Sequence, residues 1–335
     1  MVERPPSSSP RRWGSLKVVD ARSIRVRRTP QMTLYLNISP ARRKFKDLLG
    51  NANHMLITIL VGLSAVERKT IETAPPELHA AWNPKDVIAS ARRSRVFVLE
   101  TTLVRSVDAL DAYISWLRRT PALIQNVKTQ REIDSAGQSV FRKFVALKNN
   151  APALDPLTAA LIEVMIAWRN RSVHYLADNE ASEEAWNTIK SNKDELHSRF
   201  SGLTVEPLEK GFQLNAPPSF KETASFIRAT HEAVRQFDEF HIRALDSVSF
   251  LPDLIWHAVS TNSQGDVNVT RRRRVQSIWG RDESERKSRV SSFLKNCGLS
   301  EEKGDPSAIF DEELVSEVSR YSVRDVFSYI GAGRA

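Results

Sequence analysis

A single cysteine, Cys297, in 335 residues excludes an internal disulfide framework and a cysteine-rich zinc site, and fits a reducing compartment. Glycine is sparse, at 12 positions. Neither G-x-x-x-x-G-K-[ST] nor G-x-G-x-x-G occurs, so the phosphate-cradling loops of ATPases and dinucleotide enzymes are missing. The histidines, at 54, 79, 174, 197, 231, 241 and 257, show no H-E-x-x-H and no paired metal spacing. His231 and His241 fall on or near the apolar stripe of one helical pattern and read as satisfied core histidines. Long hydrophobic runs are also absent: Met55 to Val66 spans about a dozen residues, against the roughly twenty a membrane span needs. It reads as a core helix. The Arg-, Ser- and Pro-rich N-terminus is not followed at once by an apolar segment, so no secretory signal is expected. The expectation is a cytoplasmic protein with no membrane partner.

Of what is present, charge is the most unevenly placed. The formal net charge is +9, and residues 1–45 hold eleven Lys or Arg against Glu3 and Asp20, which accounts for all of it. Beyond residue 45 the basic and acidic side chains cancel, 38 against 38. Such a local positive field attracts a polyanion, most often nucleic acid, or else marks a solvated tail. A second basic run, Arg271 to Arg274, could touch phosphate, with Arg271 and Arg272 as candidates. Asp282, Glu283 and Glu285 follow closely enough to make it a self-neutralising surface segment instead.

Periodicity predicts helices almost throughout. Short β-like stretches stand at Leu16–Val19 and Met32–Ile38, followed by a helix over 42–70 and a break from Pro75 to Pro84. Val96, Leu99, Leu103, Val107, Leu110, Ile114 and Leu117 form one stripe of a long helix over 86–120. Further helices are expected over 130–148, from an Asp155 N-cap with Pro156 in its first turn, over 182–200, and from the capping box Ser219–Glu222 through Leu245. Leu203 to Leu214 alternates and reads as a small hairpin. Two weaker helical patterns cover 286–296 and 311–330. The chain divides accordingly into a basic, partly flexible arm (1–45), an N-terminal helical segment (46–85), an antiparallel helical bundle (86–250) and a small helical C-terminal appendage (251–335), all-α overall.

The helix from Asp155 ends in Trp168-Arg169-Asn170-Arg171-Ser172-Val173-His174-Tyr175. A guanidinium that holds a phosphoryl charge and an imidazole that moves a proton near neutral pH are brought to one helix end. A metal-dependent nuclease drawn from Asp253 with Glu285-Arg286-Lys287 would need its carboxylates on adjacent strands, and no strand pattern stands there. A looser pair, Arg235 and His241, lies in the helix that starts at Ser219.

The Arg169-Asn170-x-x-x-His174 motif, behind an apolar helix in a helical bundle, resembles the HEPN superfamily, whose small α-helical bundles carry R-x4–6-H at the end of an inner helix. The resemblance covers residues 86–250. It implies a metal-independent endoribonuclease with no cofactor, a hydrolase that cleaves RNA by attack of the 2′-OH. His174 would be the acid or base, Arg169 would bind the scissile phosphate, and Asn170 would orient one of them. Arg171 and Tyr175 are further candidates for substrate contact; in one branch of the family a tyrosine in H-x-Y is modified, and here Tyr175 follows His174 directly. Glu100, Asp108 and Asp111 are candidate partners of the arginine or histidine. The family also implies a toxin or antiphage setting, with an antitoxin or defence-system partner, and a homodimer with a composite site. The geometry agrees with pairing, since residues five apart on a straight helix stand about 140° and about 7.5 Å apart and share no face. The alternative is a non-catalytic nucleic-acid-binding, dimerisation or regulatory module, with Arg169, Arg171 and His174 acting as last-turn cations on the helix dipole.

Overall fold

The computed structural model describes residues 33–71, 73–79, 81–173, 180–261 and 266–331. The basic arm up to residue 32, with the β-like stretch at Leu16–Val19, lies outside them, as do His174 and Tyr175.

A short strand, β1 (Leu34–Leu36), leads into α1 (Pro40–Leu49) and α2 (Ala52–Glu67). The single helix expected over 42–70 is therefore two, because Gly50 and Asn51, both weak helix formers, interrupt it. Then comes α3 (Val87–Leu117), opened by the Asp86 carboxylate accepting from the Ala89 N–H at 3.0 Å, with the expected stripe from Leu99 to Leu117 buried. The helix expected over 130–148 is also divided, into α4 (Val127–Ser135) and α5 (Val140–Asn150), with Gly137 between them at φ +60. That left-handed backbone suits glycine and ends a helix.

Next, α6 (Pro156–Val173) starts at its predicted cap: the Asp155 carboxylate accepts from the Thr158 N–H at 2.9 Å. α7 (Glu183–Ser191) and α8 (Lys193–Arg199) share the span expected as one helix. The hairpin expected over 203–214 is instead α9 (Val205–Gln213). Val205, Leu208 and Phe212, at steps of three and four, are its buried residues, and this helical period outweighs the short alternation around Lys210 and Gly211. α10 (Phe220–Arg243) opens with the capping box, Ser219 and Glu222 each accepting from the other's backbone.

The C-terminal part holds α11 (Ser247–Ser260), α12 (Val267–Trp279), α13 (Glu283–Asn296), β2 (Ala308–Phe310), α14 (Glu312–Arg320) and α15 (Val323–Gly331). Pro252 lies inside α11, not at its end. The pattern expected over 311–330 is two helices, α14 and α15. β2 has no counterpart in the sequence reading. It pairs antiparallel with β1, Leu34 with Phe310 and Leu36 with Ala308, so the two ends of the described chain are joined by hydrogen bonds.

The protein is thus mostly helical. α3, α6 and α10 pack on one another at the centre, α1 covers α3, and α7 covers α6. The main hydrophobic core runs from Leu34 and Leu36 through Trp168 and Phe237 to Trp279, Phe310 and Ile330, and a small second cluster holds Leu56, Leu60 and Leu99. Among the described residues one stretch, Pro40–Glu67, is long and apolar enough by length and composition to cross a membrane, and 17% of its most apolar window is buried. That figure corrects the reading of Met55–Val66 as a core helix. Only one side of α2 is covered, where Leu56 and Leu60 meet Leu99.

Candidate active site

Every residue of α6 from Leu157 to Trp168 is buried. Trp168 fixes the far end: its indole N–H donates to the Ala216 carbonyl at 3.1 Å, and its ring meets Phe212 and Phe226 edge to face at 5.8 and 5.9 Å. The absence of a side chain at Gly211 lets α9 approach, since a Cβ there would stand 3.2 Å from the Trp168 ring. One residue further on, the helix leaves the core. Its polar end begins at Arg169.

Arg169 is mostly covered, its side chain 16% exposed. It donates from Nη2 to Asp108 Oδ1 on α3 at 2.9 Å and from Nη1 to the side-chain oxygen of Asn170 at 3.1 Å. Its Nε is buried without a hydrogen-bond partner. Asp108 is 62% exposed, so the carboxylate that neutralises the guanidinium faces solvent and is heavily screened.

Of the three expected acidic partners, Asp108 is the one that meets Arg169 among the described residues. Asp111, one turn on, accepts from Lys143 of α5 at 2.8 Å. That lysine is buried, so the pair fastens α3 to α5. Glu100, two turns earlier, is joined to Arg169 by no hydrogen bond or ion pair. His174 and Tyr175 lie outside the described residues.

Arg171 points to another side of α6. It donates from Nη1 to the Phe212 carbonyl at 2.9 Å, and its guanidinium carbon lies 4.5 Å from the Phe212 ring centre. It ties α6 to α9 beside a cleft of about 420 Å³ lined by Trp186, Lys190, Glu209 and Gln213. The cleft also carries Glu180 and Glu183.

The arginine run lies on α12, whose main packing partners are α11, α13 and α15, none of which builds the Arg169 site. Arg271 donates to Ser260 Oγ at 2.8 Å and sits over the Trp256 ring at 5.2 Å. Arg274 donates to the Ala258, Val259 and Thr261 carbonyls, where a cation complements a helix C-terminus. Arg272 and Arg273 are exposed. Of the acidic residues that follow, Asp282 caps α13 and Glu285 pairs with Arg289.

The looser motif dissolves. Arg235 is gripped by Glu232 and Glu239, with contacts of 2.6 and 2.8 Å, and these partners hold its pKa up. His241 is buried, and desolvation alone lowers its pKa to about 4. It was expected to be satisfied, yet its Nε2 has no partner. His231 fits the expectation better: its Nε2 lies 3.3 Å from the Leu49 carbonyl, its ring packs edge-on to Phe45, and burial lowers its pKa.

Sequence reasoning missed one buried polar knot. Asp238 of α10 is fully buried, accepts from the Ser39 hydroxyl and, at 3.1 Å, from the Ser39 N–H, and has Arg42 3.9 Å away. Burial raises its pKa, and raises that of Tyr113 beside it. With Ser39 itself fully buried, this knot anchors the start of α1 and offers a substrate no access. An aspartate on an otherwise apolar face of α10, between Phe237 and His241, was its only signal. Asp253 and Glu285, the carboxylates of the discarded metal site, lie on α11 and α13.

No family model matches this chain, and no curated protein or solved structure does.

Proposed function

We propose that the chain is a metal-independent endoribonuclease of HEPN type, working as a toxin or antiphage effector. The observation that carries the reading is the end of α6, where a helix buried from Leu157 to Trp168 delivers a guanidinium that makes one hydrogen bond from each of its two terminal nitrogens, and whose counter-charge among the described residues is the solvent-screened Asp108 carboxylate. Such a guanidinium keeps donor capacity for a phosphate. His174, five residues on, takes the proton of the ribose 2′-OH as the 2′-oxygen bonds to phosphorus, or returns a proton to the departing 5′-oxygen. Arg169 neutralises the charge that accumulates on the phosphoryl oxygens. Asn170, already bonded to Arg169, holds its orientation. Because residues five apart share no face of a straight helix, a second copy completes the site.

The test is incubation of purified protein with total RNA in EDTA, beside Arg169→Ala and His174→Ala. Cleavage that persists in EDTA, is lost in both variants and leaves 2′,3′-cyclic phosphate and 5′-hydroxyl ends is the expected result. A variant that cleaves at the normal rate overturns it. Growth arrest on expression, relieved by the same substitutions, tests the toxin setting.

The Arg169–Asp108 pair favours a second reading, a non-catalytic nucleic-acid-binding or regulatory module in which Arg169 fastens α6 to α3. RNA binding without cleavage by the wild type supports it.

A further inference from the structure

Leu56 and Leu60 of α2 rest on Leu99 of α3, and Arg95 donates to Ser64 Oγ and to Glu67 at 3.2 Å. Later residues of α2 therefore meet earlier ones of α3, and the two helices run antiparallel. Beside their seam lies an open groove of about 680 Å³. Its lining residues on α2 recur every three or four positions and form one stripe of the helix. From Ile57 to Arg68 that stripe rises roughly 16 Å.

The groove changes character along its length. Ile57, Leu60, Val61 and Ala65, with Phe220 of α10, make an apolar trough, whereas Ser64, Arg68, Thr70 and Arg95 gather hydroxyls and guanidinium groups toward the other end. Arg95 is engaged by Glu67. Arg68 is exposed and makes no ion pair among the described residues. The same holds for Lys69, Arg92 and Arg93, which the antiparallel pairing sets at this end of α2, so Glu67 does not balance the positive charge there.

An apolar trough that ends in unpaired cations is complementary to an anion with a hydrocarbon tail. A wholly apolar ligand would leave Arg68 unused, and a polynucleotide would leave the trough unused. A helix lying in a membrane interface separates charge from apolar surface around its axis; here the separation runs along the axis. One free molecule with its charge at one end satisfies both parts of the groove.

We infer that this groove binds a single-chain fatty acid, its carboxylate received by Arg68 and the Thr70 hydroxyl and its acyl chain lying along Ile57, Leu60 and Val61 against Phe220. Arg95, placed by Ser64 and Glu67, adds positive charge beside the carboxylate. The site is independent of the nuclease reading, which rests on the end of α6.

Isothermal titration calorimetry of the full chain with sodium laurate, kept below micelle formation, tests it. The wild type should bind a single laurate. Arg68→Glu should weaken binding by about tenfold, as loss of a hydrogen bond to a charged group implies. Val61→Asp should weaken it as well; both side chains are exposed, so circular dichroism should not change. Val248→Asp, on an apolar residue exposed on α11, should bind as the wild type does. Dodecyltrimethylammonium, with the same tail and the opposite charge, should prefer Arg68→Glu to the wild type. A wild type that does not bind laurate, laurate binding that neither variant weakens, or a wild type that takes the cationic amphiphile as tightly overturns the inference. So does a wild type that floats with phosphatidylcholine–phosphatidylglycerol vesicles, or one whose dimer, measured by light scattering, is dissociated by Val61→Asp, since a bilayer or a second copy would then cover the groove.

Discussion

The ion pair between Arg169 and Asp108 separates the two readings of the motif at the scale of one residue. With the carboxylate 62% exposed, its contribution to stability is at most about 1 kcal/mol. If the guanidinium serves a phosphate, Asp108→Asn removes a competitor: RNA affinity, read by fluorescence anisotropy, should rise several-fold while Tm scarcely moves. A marked fall in Tm without tighter RNA binding would make Arg169 a structural brace. His241 gives a second residue-scale prediction. Its folded pKa is about 4 against an ordinary 6.5, so below about pH 6.5 the unfolded chain takes a proton that the folded one refuses. The stability tied to this residue is complete above that value and declines as pH falls toward 4, by roughly 3 kcal/mol in all. His241→Phe abolishes the decline and leaves no orphaned nitrogen, so wild type should lose Tm between pH 7 and 4.5 faster than the variant; parallel melting curves would refute this. Both residues could be singled out in the sequence, but neither partnership could. A helical period says which face His241 occupies, not that its Nε2 finds nothing there, and Asp108 was one of three acidic residues of α3 with equal claims.

At the scale of elements, the helices that were legible carry a side-chain cap and a long stripe: α3 from Asp86, α6 from Asp155 and α10 from Ser219. Errors gathered where a pattern crosses a weak helix former. Asn51, at φ −101 and ψ 7, and Gly137, at φ +60, cut helices whose apolar spacing runs on across them, because a stripe records burial while a break needs only one residue that leaves helical φ and ψ. α2 failed in another way: composition showed that it was apolar but not whether anything covered it. α6 supports the clearest element-scale prediction. Trp168→Ala removes the indole that holds the helix end against α9 and α10, and a buried Trp→Ala costs about 3–5 kcal/mol. Thermal unfolding should register that loss, with a fall in RNA affinity as Arg169 loses its footing. Arg169→Ala should lower RNA affinity with little change in Tm. Equal Tm values for the two variants would mean that Trp168 does not anchor the site.

For the whole molecule, the pairing of β1 with β2 decides how far the chain can be divided. A boundary at residue 250 cuts α11, which runs from Ser247 to Ser260, and a strand of three residues gave little pattern from which its distant partner could be found. Leu34, Leu36 and Phe310 are fully buried in the same core, where the Phe250 and Phe310 rings stand 6.4 Å apart. A chain ending at residue 250 strips β1 of its hydrogen-bonded neighbour and leaves Leu34, Leu36 and Phe250 without the apolar surface that covers them. Unpaired backbone and uncovered leucines both oppose folding. The full chain should therefore unfold in one calorimetric transition, whereas the chain ending at residue 250 should show no sharp transition and should be degraded rapidly by low protease. A shortened chain that melts cooperatively near the Tm of the full protein would mean that the bundle is self-sufficient and that residues 251–331 are an addition to it. Cleavage should then be assayed on the shortened chain, since the Arg169–Asp108 pair lies wholly within the retained part.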